Sequence, residues 1–116
     1  MLSANLKALL APFLLIAIDI PWLWSTSGTS LAMFEKIQGV PVRFLLWPAA
    51  VVYIALAYLL LQQVSVQGAF LNGAAVYAVY DFTNLAILKD YTLQFAITDT
   101  LWGGTLFAIA HYILSI

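Results

Sequence analysis

Four apolar runs separated by short polar breaks leave this chain few ways to fold. They cover about residues 6–25, 42–62, 68–89 and 92–115. At roughly 20 residues, each is long enough to cross the hydrocarbon core of a bilayer as a helix. A soluble domain could bury such runs against one another only with enough charge to cover its outside. Here 65% of the 116 residues are hydrophobic and 8% are charged, against about a quarter charged in a soluble domain. The expectation is an all-α, polytopic membrane protein with four transmembrane helices in an antiparallel bundle. It forms a single transmembrane domain over residues 1–116, and the lipid bilayer is its first partner.

Several chemistries are closed by what is absent. Zero cysteines exclude disulfides, thiolate metal sites and cysteine nucleophiles. A net charge of −1 with no basic cluster offers nucleic acid nothing to bind. One histidine, His111, is too few for a two-histidine iron or zinc site. It also lies roughly 18 Å along its helix from Asp99. No nucleophile–base pair is visible, so the reading leans away from an enzyme without deciding the matter. Oxygen-only ligation of Mg²⁺, Mn²⁺ or Ca²⁺ by Asp19, Asp81 and Asp99 is chemically open, but no ligand spacing points to it. No metal and no cofactor are expected.

In chain order, residues 8–24 are apolar except for Asp19 and follow Lys7. A cleaved leader is the competing reading, but the run exceeds an h-region of about 7–15 residues and holds two prolines and an acid. Pro21 deprives the Ala17 carbonyl of its N–H partner, so a bend is expected beside Asp19. Ser25–Ser30 reads as a turn. Residues 30–38 then read as a short interfacial helix, with Leu31, Phe34 and Ile37 against Glu35, Lys36 and Gln38, and Gly39 as its stop. An ordered loop is the plainer alternative. Pro48 is expected to kink the second helix. Thr92 is a natural N-cap for the fourth, after a tight return at Lys89-Asp90-Tyr91.

The polar residues inside these runs are the candidates for function. Tyr77, Tyr80, Asp81 and Asn84 fall on one helix face, and such a stripe turns away from lipid. Up-down topology places Asp19 about 8 Å, Asp81 about 12 Å and Asp99 about 10 Å from the same end of the bundle. The three acids are thus expected in one layer, together with Trp102. They could relay protons or cations, since close carboxylates in a dry site repel. Equally, they could lock helices by bonding to Asn84, Tyr77, Thr83, Thr98 or Trp102, or by pairing with Lys89. The charges Lys36, Arg43, Lys89 and Asp90 sit in the loops beside that layer, where Trp22, Trp24, Trp47 and Tyr91 read as interfacial aromatics. The excess of basic residues there places loops 25–42 and 89–92 in the cytoplasm. Gly73, Gly103, Gly104 and Ala108, with Ala69, let helices approach closely. The Gly104–Ala108 spacing is too common in apolar helices to specify a dimer.

The run Tyr77-x-x-Tyr80-Asp81-Phe82-Thr83-Asn84-Leu85-Ala86-x-Leu88-Lys89-Asp90, followed by Asp99-x-x-Trp102-Gly103, resembles an uncharacterised family of predicted four-helix membrane proteins. The resemblance extends to Asp19 and to Phe34-Glu35-Lys36-Ile37. Tyr91 stands where the family pattern has tryptophan. The family occurs in bacteria and some large DNA viruses, and the resemblance implies that the acids and Asn84 form one site; the inner membrane of a bacterium is the expected location. The family has no known activity. Its genes occur near those for fatty-acid-modifying enzymes, which implies a possible lipid connection.

The expected function is a non-enzymatic accessory or assembly subunit that packs against other membrane proteins or against itself as a homo-oligomer. The alternative is a small proton- or cation-coupled transporter working as a homodimer. A lipid-modification-related membrane protein is the third reading.

Overall fold

The computed structural model describes residues 1–116, and all of its regular structure is helical. In order the helices are α1 (Ala4–Gln38), α2 (Leu46–Leu61), α3 (Val66–Ile87) and α4 (Leu93–Leu114). Three of the four begin at a hydroxyl cap. Ser3 accepts from the Leu6 N–H, Ser65 from Gly68 and Thr92 from Phe95, each satisfying a donor that a helix start leaves free. Gly39 closes α1 in the left-handed conformation, φ 78°, where glycine carries no side-chain penalty.

The largest departure from expectation is α1. No turn forms at Ser25–Ser30 and no separate interfacial helix follows: one helix of 35 residues runs through both. Three of the hydroxyls that signalled a turn are satisfied inside the helix. Ser25 and Thr26 donate back to the Trp22 carbonyl at 3.1 and 2.7 Å, and Ser27 to that of Trp24 at 2.9 Å, a local bond these residues make without leaving helical geometry. Packing does the rest. Met33 is buried with Tyr91 and Ala96, and Phe34, Ile37 and Phe95 close around them. The last turns of α1 therefore fold onto the α3–α4 return. Pro12 and Pro21 both lie within this helix. Pro48 falls in the first turn of α2, which starts at Leu46, where proline has no N–H partner to lose, so the reason to expect a kink there is gone.

Helix contacts divide the chain into two hairpins. α3 packs along the length of α4, and α1 packs on α2 and on α4, whereas α2 and α3 scarcely touch. The α3–α4 seam is the closest approach. Ala69, Gly73, Tyr77 and Asp81 recur every fourth residue on α3, and three of them are fully enclosed. A Cβ on Gly73 would meet the Gly103 carbonyl and stand 2.7 Å from Phe107 Cβ. One on Gly103 would run into the Tyr77 ring. These glycines are thus consumed within the chain. At the end remote from the acids, Leu15, Leu56, Leu60, Leu106, Phe107 and Ala110 form the main apolar core.

By length and apolarity, α1 is the helix that clearly qualifies to cross a membrane, and α2 is a shorter apolar helix of 16 residues.

Candidate functional site

The three acids enter one region from three helices. Asp81 is completely enclosed and Asp19 is 5% exposed, while Asp99 is half-buried. Asp19, on α1, accepts from the Trp102 indole N–H at 2.7 Å and from the Tyr53 hydroxyl of α2. It therefore ties α1 to both α2 and α4. Asp81, on α3, accepts from the Tyr91 hydroxyl at 2.7 Å and from Thr100 at 3.4 Å. Asp99, on α4, adjoins Asp81 and accepts one long bond from the Trp22 indole at 3.4 Å. Trp22 stacks flat on Trp102, centroids 5.1 Å apart and planes 8° off parallel. The two rings thus cross-connect the acids: each lies on its partner and donates to a carboxylate on the other helix.

Several partners differ from those the sequence suggested. Tyr53 and Thr100 were not among the candidates. Trp22 and Tyr91 read as interfacial aromatics, yet Trp22 lies in the site and Tyr91 is 5% exposed. The signal for Trp22 was its spacing of three residues from Asp19, one turn of the same face. Trp24 and Trp47 are the exposed ones. Trp102 bonds to Asp19 rather than Asp81. Asn84 sits beside the hydroxyls of Tyr80 and Tyr91. Lys89 pairs with no acid; Lys36 instead lies 3.7 Å from Asp90, at the surface. Arg43 is exposed between α1 and α2, and Ala108 is half-buried on α4. Burial first, then the adjacent Asp81, raises the pKa of the Tyr91 phenol in the α3–α4 return, so it remains a donor.

The carboxylates do not converge on a common point that could hold a metal ion. Asp19 is turned onto Tyr53 and Trp102, while Asp81 and Asp99 lie against each other, with Tyr91 and Thr100 donating to the first and Trp22 to the second. Asp81 lies behind the seam, but Asp19 and Asp99 reach a cavity of about 620 Å³ between the hairpins. Its walls come from all four helices and from the segment leading into α2, with Val52 and Leu56 of α2 and Val76 of α3 among them. The cavity occupies the gap left because α2 and α3 do not pack together. Tyr77 and Tyr80 also line it.

A helical chain with an apolar exterior and its acids turned inward is built as a membrane protein. Residues 5–114 match the family described as Predicted membrane protein (DUF2177), and the chain belongs to that family, whose function is unknown. No curated protein and no solved structure matches the chain.

Proposed function

We propose that the chain spans the bilayer four times and works by binding, holding a guest in the cavity between its two hairpins as an accessory or carrier component of the membrane. The four spans are supported by the surface. Phe13 and Ile20 on α1, Val51 and Ile54 on α2, Leu71 and Val79 on α3, and Leu101 and Ile109 on α4 all point outward. An apolar belt of that extent fits lipid rather than water. Both α3 and α4 have 22 residues, a length of about 33 Å. Their acids face protein donors, as hydrocarbon requires. The short α2 is accommodated by the apolar Phe44-Leu45 that leads into it and by local thinning of the bilayer.

The observation that carries the binding reading is the cavity itself, apolar in its walls and acidic at one end. The same feature favours a carrier over a purely structural subunit, and four helices would then alternate access as a homodimer. Lys36, Arg43 and Lys89 lie in the segments at the acid end, which by the positive-inside rule faces the cytoplasm, in the inner membrane of a bacterium.

Two measurements test this. Because the chain has no cysteine, Lys36→Cys, Lys89→Cys and Lys7→Cys each create a unique label site. The first two are expected to react only after the cells are permeabilised, and Lys7→Cys from outside. Labelling of Lys89→Cys in intact cells reverses the orientation. Native mass spectrometry of protein taken from its own membrane is expected to show a bound mass that Ala49→Trp, which fills the cavity, loses. Identical spectra for the two proteins overturn the binding reading.

A further inference from the structure

The cavity is polarised along its length. Of the 20 residues that line it, 15 are hydrophobic; two are carboxylates, and none is Lys, Arg or His. The charge it offers is therefore of one sign, with no cation of the chain's own to match it. Lys36, the cation on the neighbouring turns of α1, lies against Asp90 outside, and Arg43, between the lining residues Val42 and Phe44, is exposed and not itself part of the lining. Asp19 has two donors, but Asp99 has one neutral indole at 3.4 Å, a distance at which a hydrogen bond is weak, and beside it the Asp81 carboxyl, which it can bond only by sharing a proton. Around these acids the lining is aromatic: Trp22, Tyr53, Tyr77 and Tyr80. Aromatic faces beside carboxylates are the surroundings in which ammonium groups are recognised, through the negative potential of the ring faces. The rest of the lining offers a hydrocarbon tail what lipid offers it. A volume of about 620 Å³ falls within the range of small-molecule sites.

We infer that the cavity binds an amphiphile with a cationic ammonium head, the head against Asp99 and the tyrosine and tryptophan rings and the tail between α2 and α3. This rests on the reading of the cavity as a binding site. The head supplies the positive charge that the lining lacks, and the gap between α2 and α3 admits the tail from the side. A neutral head gains only hydrogen bonds there, and an anionic head meets two carboxylates.

The test uses the full chain in nanodiscs, with empty nanodiscs subtracted, and labelled dodecyltrimethylammonium, dodecanol and dodecanoate as probes. The ammonium is expected to saturate at one per chain, dodecanol to bind at least about tenfold more weakly, and dodecanoate to show no saturable binding. Asp99→Asn is expected to weaken the ammonium about tenfold, the scale of one charge-assisted contact, and dodecanol by less, so that the preference for ammonium narrows. Equal binding of the three probes by the parent overturns the inference whether or not Asp99→Asn folds. Equal binding that Ala49→Trp abolishes leaves the binding site standing and removes only its preference for ammonium. Absence of saturable binding in the parent, with the chain running as a dimer, gives the cleft to a second copy and overturns the inference.

Discussion

Replacing Gly103 by alanine puts a methyl group where the Tyr77 ring already lies. The added Cβ would overlap Tyr77 Cγ and Cδ1 and stand 2.7 Å from Tyr77 Cβ. Rotating the tyrosine moves its ring but leaves its Cβ in place, so α3 and α4 must part locally. Overpacking of this kind costs about 1–3 kcal/mol. Against that, alanine is a better helix former than glycine by about 1 kcal/mol. With contacts this short the overpacking falls in the upper part of that range, about 2–3 kcal/mol, so the expected net loss for Gly103→Ala is about 1–2 kcal/mol. Unfolding in mixed micelles, with added sodium dodecyl sulfate as denaturant and circular dichroism as the readout, measures it. The cause is isolated by repeating the substitution in a Tyr77→Ala background. There the ring is gone and only the Cβ contact remains, so the cost of Gly103→Ala is expected to fall by more than half. A Gly103→Ala protein as stable as the parent would refute the close approach of α3 and α4. So would a cost that is the same with and without the tyrosine ring.

Asp81 and Gly28 give two further tests. Asp81→Asn retains an acceptor for the buried Tyr91 hydroxyl and is expected to keep the fold, whereas Asp81→Leu is expected to lose about 0.6–1.7 kcal/mol for each interhelical hydrogen bond removed. Equal stability of the two variants in the same unfolding assay counts against a structural role, and loss of a pH-dependent flux in folded Asp81→Asn protein would make Asp81 a proton carrier. Gly28 lies inside α1 with nothing within 4 Å of an added Cβ, so Gly28→Ala is expected to raise stability by up to about 1 kcal/mol; a loss on melting would show that this part of α1 has to bend.

The apolar runs and their caps could be read from the sequence because they are local. Thr92 caps α4 through a bond to a residue three positions along, and the spacing of apolar residues needs no knowledge of neighbours. The meeting of Asp19, Asp81 and Asp99 followed from counting residues along antiparallel helices. What the sequence concealed depends on contacts between distant residues. Ser25–Ser30 has the composition of a turn and remains helical because Met33 and Phe34, several residues on, find Tyr91 and Phe95 to pack against. Tyr91 and Trp22 are amphipathic side chains that suit a membrane surface equally well, and only the fold decides that their polar atoms turn inward. The cavity was least legible of all. It exists because α2 and α3 fail to pack, and a pattern of apolar faces does not say which pairs of helices will leave a gap.

The unbroken α1 has a mechanical consequence. One continuous helix, with Pro21 inside it, carries Asp19 and Trp22 at the cavity and Met33 and Lys36 against the α3–α4 return. From Asp19 to Met33 is about 21 Å of continuous helix. With a turn at Ser25–Ser30, each end could have shifted alone. Without one, a shift of α1 at the return is passed along the helix toward Asp19, less what Pro21 absorbs. A molecule or protein that grips the surface around Asp90 therefore also bears on Asp19, about 21 Å from Met33 along α1.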